Sequence, residues 1–171
     1  VVSVVGVAGA LVAPLRRNRG RVVNIGSVSG VLITPFAGAY CASKAAVHAL
    51  SDALRMELAP FGIRVMEVQP GAIDTHFGKN ASAQAEQLIA EDSPWWPVRE
   101  GIRARANASQ DNPTPVAACA RAVFKAAQKN RPPALLRVGN GIRAMPLLAA
   151  LLPRALLQKI LMKRFGLTTS L

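Results

Sequence analysis

Apolar residues recur along this chain at two spacings, and the spacing sorts the segments. Between Ala39 and Ala59, Leu50, Leu54 and Leu58 repeat every four residues. A second stripe, Ala42, Ala46, Ala49 and Ala53, is small enough for close packing. That period predicts a helix with buried faces, closed by Pro60 and Gly62. Short, largely apolar runs stand on either side: Arg21 to Ile25, stopped by Gly26, and Ile63 to Gln69, stopped by Pro70-Gly71. Both read as buried strands. Strand, loop, helix, strand in this order predicts a βαβ unit with parallel pairing. Further on, Pro115 to Lys129 reads as a helix with proline in its first turn, and Leu135 to Val138 as a short last strand. Val1 to Leu15 is apolar throughout, and periodicity does not choose between helix and strand there. Ala72 to Arg99 reads as irregular or short-helical, with Trp95 and Trp96 inside it. Arg143 to Phe165 alternates apolar pairs with cations and is split into two helices by Pro153. The expected class is α/β, a parallel sheet with flanking helices over 1–140, followed by a basic amphipathic helical tail over 141–171.

Composition narrows the class. The chain has 171 residues, 51% hydrophobic and 18% charged, which suits one domain with a real core and excludes a disordered tail, a fibre or a disulfide scaffold. Two cysteines, Cys41 and Cys119, form no framework and fit a reducing, cytoplasmic setting. No apolar run reaches the eighteen or so residues that span a bilayer. Net charge is +12, and it is lopsided: every acid lies at or before Asp111, while 112–171 hold ten Lys/Arg. Such a tail can meet phosphates or an anionic lipid surface. Aromatics are only 5% and are not interleaved with the basic residues, so no nucleic-acid partner is expected.

The chemistry-bearing residues gather at strand ends. Tyr40 is the only tyrosine, and Lys44 lies four positions on, one helical turn away. Ser27 follows the first strand of the βαβ unit, and Pro70-Gly71-Ala72-Ile73-Asp74-Thr75 leaves the second at the same end of the sheet. In a parallel α/β sheet, that end is where ligands bind.

Asn24-Ile25-Gly26-Ser27, the run Tyr40-Cys41-Ala42-Ser43-Lys44 and Pro70 to Thr75 together resemble the short-chain dehydrogenases/reductases. The wording also resembles the branch acting on steroids, retinol and similar lipid alcohols. The resemblance implies a Rossmann-like sheet and hydride transfer between NADP or NAD and an alcohol or carbonyl substrate. It implies Ser27, Tyr40 and Lys44 as catalytic residues. It also implies Asn24, Tyr40, Lys44, Pro70, Gly71, Ile73 and Thr75 along the cofactor, and no metal. A phenol near its ordinary pKa must be lowered by roughly three units to act as a base at neutrality, about 4 kcal/mol of preferential phenolate stabilisation. A lysine ammonium one turn away and an oxidised nicotinamide ring are suitable sources.

The family also carries a glycine-rich turn after its first strand, a charged selector after its second and an asparagine in the helix before the serine-bearing strand. None of these is evident here, and Ser3 takes the asparagine's place if Val4-Val5-Gly6 aligns with that helix. The expectation is therefore a sheet lacking its N-terminal strands, in a chain that folds poorly alone and binds no dinucleotide. The alternative is a non-catalytic membrane-surface or interaction module derived from such an enzyme. A homo-oligomer stays open. His48 reads as a packed or surface residue rather than a base, and His76 as a solvated loop residue. Trp95 and Trp96 read equally as a lid or as an anchor.

Overall fold

The computed structural model describes residues 2–168. Helix α1 (Val2–Arg17) leads into strand β1 (Arg21–Ile25). The choice that periodicity left open is settled as helix, and α1 runs through Pro14 by one more turn. After a loop come α2 (Gly38–Leu58) and β2 (Arg64–Pro70), then α3 (Phe77–Leu88) and α4 (Arg99–Asn107). The chain continues with α5 (Val116–Ala127), β3 (Leu135–Val138), α6 (Ala144–Leu151) and α7 (Arg154–Arg164). The three strands form one parallel sheet in the order β1-β2-β3, with Val22 opposite Val65 and Val68 opposite Leu136.

Pleating of β2 divides its side chains between two layers. Val65 packs with Ile63, Leu54, Leu58 and Ala8, under α1 and α2. Met66 and Val68 point the other way, onto Ala126 and Val123 of α5. A central strand covered on both faces accounts for its near-continuous apolar run. The long side chain of Arg55 on α2 adds a polar stitch, donating to the Val65 carbonyl at 3.1 Å and the Ala134 carbonyl at 2.9 Å. The other edge of β1 has no strand against it among the described residues, and Ile25 there is half exposed.

A third apolar cluster joins the tail to the loop after β1. Leu161 and Phe165 bury with Leu32, and Phe36, Met145, Ala149 and Leu157 pack around them. Helices α3 and α4, where the sequence shows little periodicity, are clamped by charge instead: Arg103 donates to both Glu86 oxygens at 2.6 and 2.8 Å. Those bonds hold the Glu86 carboxyl below the usual carboxylate range. Among the described residues, no helix is long and apolar enough to cross a membrane.

Candidate active site

Ser27 leaves β1 in extended conformation and caps a single 3-10 turn, Val28–Gly30, its Oγ accepting from the Ser29 N–H at 3.1 Å. Accepting there uses a lone pair and leaves the hydroxyl proton to be donated. The residue is buried. Tyr40 and Lys44 lie on one face of α2, the Lys44 Nζ 5.8 Å from the centroid of the Tyr40 ring. Lys44 also donates to the carbonyl of Ile25 at 3.0 Å. That bond ties the first turns of α2 to the end of β1, two residues before Ser27. Partial burial holds the Lys44 ammonium below its ordinary lysine value.

The exit of β2 closes on the same place. Gly26 donates to the Val68 carbonyl at 2.7 Å, Gly71 to Val138 at 2.9 Å and Ala72 to Asn140 at 3.0 Å. Ile73 bridges Thr114. Thr75 accepts from the Phe77 N–H at 3.3 Å, and the Phe77 ring lies 5.2 Å from that of Tyr40. Segments from β1, α2 and the β2 exit thus meet around Tyr40, Lys44 and the turn of Ser27.

Not every candidate side chain turns toward this cluster. Asn24 is buried and donates its amide to Ser51 Oγ at 2.9 Å, inside the β1–α2 contact. Gly71 is confined by its neighbours, since a Cβ there would come within 1.8 Å of the Asn140 carbonyl oxygen. His76 and Ser3 are exposed. Trp95 meets Phe36 edge-on at 6.1 Å, and Trp96 lies beneath the Arg99 guanidinium at 4.5 Å. Hollows of about 370 and 660 Å³ lie against the tail; neither is lined by Ser27, Tyr40 or Lys44.

One group escaped the sequence pattern. His48 Nε2 stands 3.3 Å from both the Ser27 N–H nitrogen and Glu67 Oε1. Gln69, also buried, donates to Glu67 at 2.5 Å and accepts from Arg137 at 2.9 Å. Within one chain, the odd residues of β2 stand together on the α2 side, but only the register and the docking of α2 reveal that His48 meets them.

A model of the short chain dehydrogenase family matches residues 1–86. Short-chain dehydrogenase RED1 of Pyricularia oryzae is 32% identical over 138 residues, covering 81% of this chain and 48% of that protein. Retinol dehydrogenase 16 of Homo sapiens is 45% identical over 75 residues, 44% of this chain and 23% of the relative. The crystal structure of a short-chain dehydrogenase from Streptomyces avermitilis superposes with a TM-score of 0.60 at 30% identity, covering 78% of this chain and 48% of that one. The chain belongs to the short-chain dehydrogenase family. It spans less than half the length of each of these three relatives.

Proposed function

We propose that this chain supplies the catalytic half of an NAD(P)-dependent oxidoreductase that interconverts an alcohol and a carbonyl, with a lipid-like substrate. The observation that carries this reading is the Lys44 ammonium, fixed to the Ile25 carbonyl and facing the Tyr40 ring. The donor set fits the nicotinamide-ribose end of a dinucleotide: an ammonium at a strand end, and polar backbone from Pro70 to Ile73 with the Thr75 hydroxyl beside it. When bound, the dinucleotide supplies the hydride acceptor or donor.

The rest is the work of this chain. Ser27 donates a hydrogen bond from its hydroxyl to the substrate oxygen, keeping its proton, which steadies negative charge developing there. Tyr40 Oη takes the proton of an alcohol, or returns it to a carbonyl oxygen, as general base or acid. Lys44 favours the phenolate by Coulomb attraction and orients the ribose. A lipid-like substrate is supported by the likeness to retinol dehydrogenase 16. In the full-length protein that carries this half, with retinal and NADPH or NADH as probes, Tyr40→Phe should reduce turnover by about 10²–10⁴-fold, with dinucleotide affinity retained. Undiminished turnover refutes the reading.

Peripheral lipid contact through the tail is a second reading, favoured by one observation. Leu147 and Leu151 of α6 and Leu156 and Ile160 of α7 are exposed beside Arg154 and Lys159. Flotation with phosphatidylserine vesicles, compared with phosphatidylcholine ones, tests it; equal recovery with both, or none with either, rejects it.

A further inference from the structure

We propose that His48 is a positioning residue that shapes the turn presenting Ser27. The inference rests on the reading of Ser27 as the residue that holds the substrate oxygen. His48 lies on α2 one turn beyond Lys44, and its ring fills the concave side of the turn from Gly26 to Gly30. A Cβ on Gly26 would stand 2.5 Å from His48 Nε2 and 2.7 Å from Cδ2; one on Gly30 would stand 2.4 Å from Cε1. All three distances lie far inside van der Waals contact, so the imidazole leaves no room for a Cβ at either glycine; at Gly30 the α2 backbone adds to this, with Lys44 C and Ala45 N each 2.9 Å from such a Cβ. At the centre of that fit, His48 Nε2 receives the Ser27 N–H at 3.3 Å.

The ring rests on polar side chains of the sheet. Glu67 Oε1 reaches Nε2 at 3.3 Å, Gln69 Nε2 comes to 3.5 Å from Nδ1, and Arg137 on β3 braces Gln69. Glu67 and Gln69 are nearly sealed from solvent, and among the described residues no buried side-chain polar atom lacks a partner. With Nε2 accepting from Ser27, the ring hydrogen sits on Nδ1, so Glu67 and Gln69 confine the imidazole by close packing, and Arg137 fixes Gln69. A ring packed this closely has little room to turn, which fixes the acceptor it offers to Ser27. Rigidity at Ser27 matters because a reacting group displaced by about 1 Å loses on the order of 10²-fold in rate.

The test uses the native holoenzyme and two variants of matched bulk. His48→Leu keeps volume but offers Ser27 no acceptor; His48→Gln offers a carbonyl oxygen near the place of Nε2. The expected results are a kcat loss on the order of 10–100-fold for His48→Leu with the dinucleotide KM unchanged, and recovery of most of that loss in His48→Gln. Exchange of the Ser27 amide hydrogen, read by NMR without any turnover, should quicken in His48→Leu and stay slow in His48→Gln. A second pair covers a His48→Leu protein that does not fold: Gly26→Ala should impair kcat in the wild-type background and cost several-fold less once His48→Ala has vacated the space, the Val68 carbonyl at 3.2 Å being the contact that remains; an equal loss in both backgrounds would count against the proposal. Unchanged kcat and amide exchange in His48→Leu would overturn the proposal, as would equal losses in kcat and dinucleotide affinity. Tyr40→Phe, run in parallel, separates the two claims, because turnover surviving that change removes the catalytic reading whatever His48 does.

Discussion

Gly71 offers a demanding check on the packing at the β2 exit. Replacing its hydrogen by a methyl puts a Cβ 1.8 Å from the Asn140 carbonyl oxygen, 2.8 Å from the Asn140 carbonyl carbon and 3.1 Å from Ile142 Cγ2. The close neighbour is backbone, so no side-chain rotation relieves it. Either the turn carrying Asn140 or the strand exit must move by more than an ångström. Two backbone bonds sit across that gap, Gly71 to Val138 and Ala72 to Asn140. Losing both costs about 2 kcal/mol at about 1 kcal/mol each. Residual overpacking adds about 1 kcal/mol or more. Gly71→Ala should therefore destabilise the native protein by about 3 kcal/mol, read as a lowered urea midpoint at constant m-value. Gly62 is the matched comparison. Its φ is 72°, but a Cβ there meets only Arg19 Cγ at 3.8 Å. Gly62→Ala should cost about 1–2 kcal/mol through left-handed strain alone. Gly62→Asn should recover part of that, because asparagine tolerates this region. At Gly71 the order reverses: asparagine is bulkier and should be worse than alanine. A Gly71→Ala change below about 0.5 kcal/mol, or the same ranking at both sites, would refute this account of the turn.

Two further outcomes follow from other contacts. Ser51 is fully buried, accepts from Asn24 and donates to the Val47 carbonyl, so Ser51→Ala leaves the Asn24 amide without a partner. The single variant should lose about 1–3 kcal/mol by urea unfolding, and Asn24→Leu with Ser51→Ala should lose less than the sum of the two singles. Lys44 titrates below its ordinary value because burial disfavours its charged form. Between the lowered native value and the ordinary one, the unfolded chain binds the extra proton, so stability rises with pH across that interval and the penalty is full below it. Urea midpoints followed from roughly pH 8 to 11 should climb more steeply in the wild type than in Lys44→Met; parallel curves would remove the burial argument.

Much of the frame is legible in the amino-acid pattern itself. Arg21 to Ile25 and Leu135 to Val138 are strands as read, because short apolar runs between turn residues have few alternatives. Leu50, Leu54 and Leu58 marked α2 through their period, and Pro153 does divide α6 from α7. Helices α3 and α4 are harder to read, since the pair of Arg103 with Glu86 joins them by charge across 17 residues and no apolar stripe marks either one. Tyr40 and Lys44 stood out because they are neighbours within one helix. The company of His48 did not, because Glu67, Gln69 and Arg137 reach it from two strands whose register no local pattern encodes. Asn24 shows the converse: its place in a motif suggested a ligand, and its side chain is occupied in the packing of two elements.

The cluster of Leu32, Leu161 and Phe165 makes the far end of the polypeptide the floor beneath the run-up to Tyr40. Phe36, two residues before α2 begins at Gly38, holds a left-handed backbone with φ of 60°, a posture that costs a non-glycine residue about 1–2 kcal/mol and is offset here by neighbours from the last two helices and by Trp95. Clipping the polypeptide after Pro153 would take that floor away, so a carboxyl-terminal cleavage or fusion would be felt first as a misplaced phenol rather than as a frayed end.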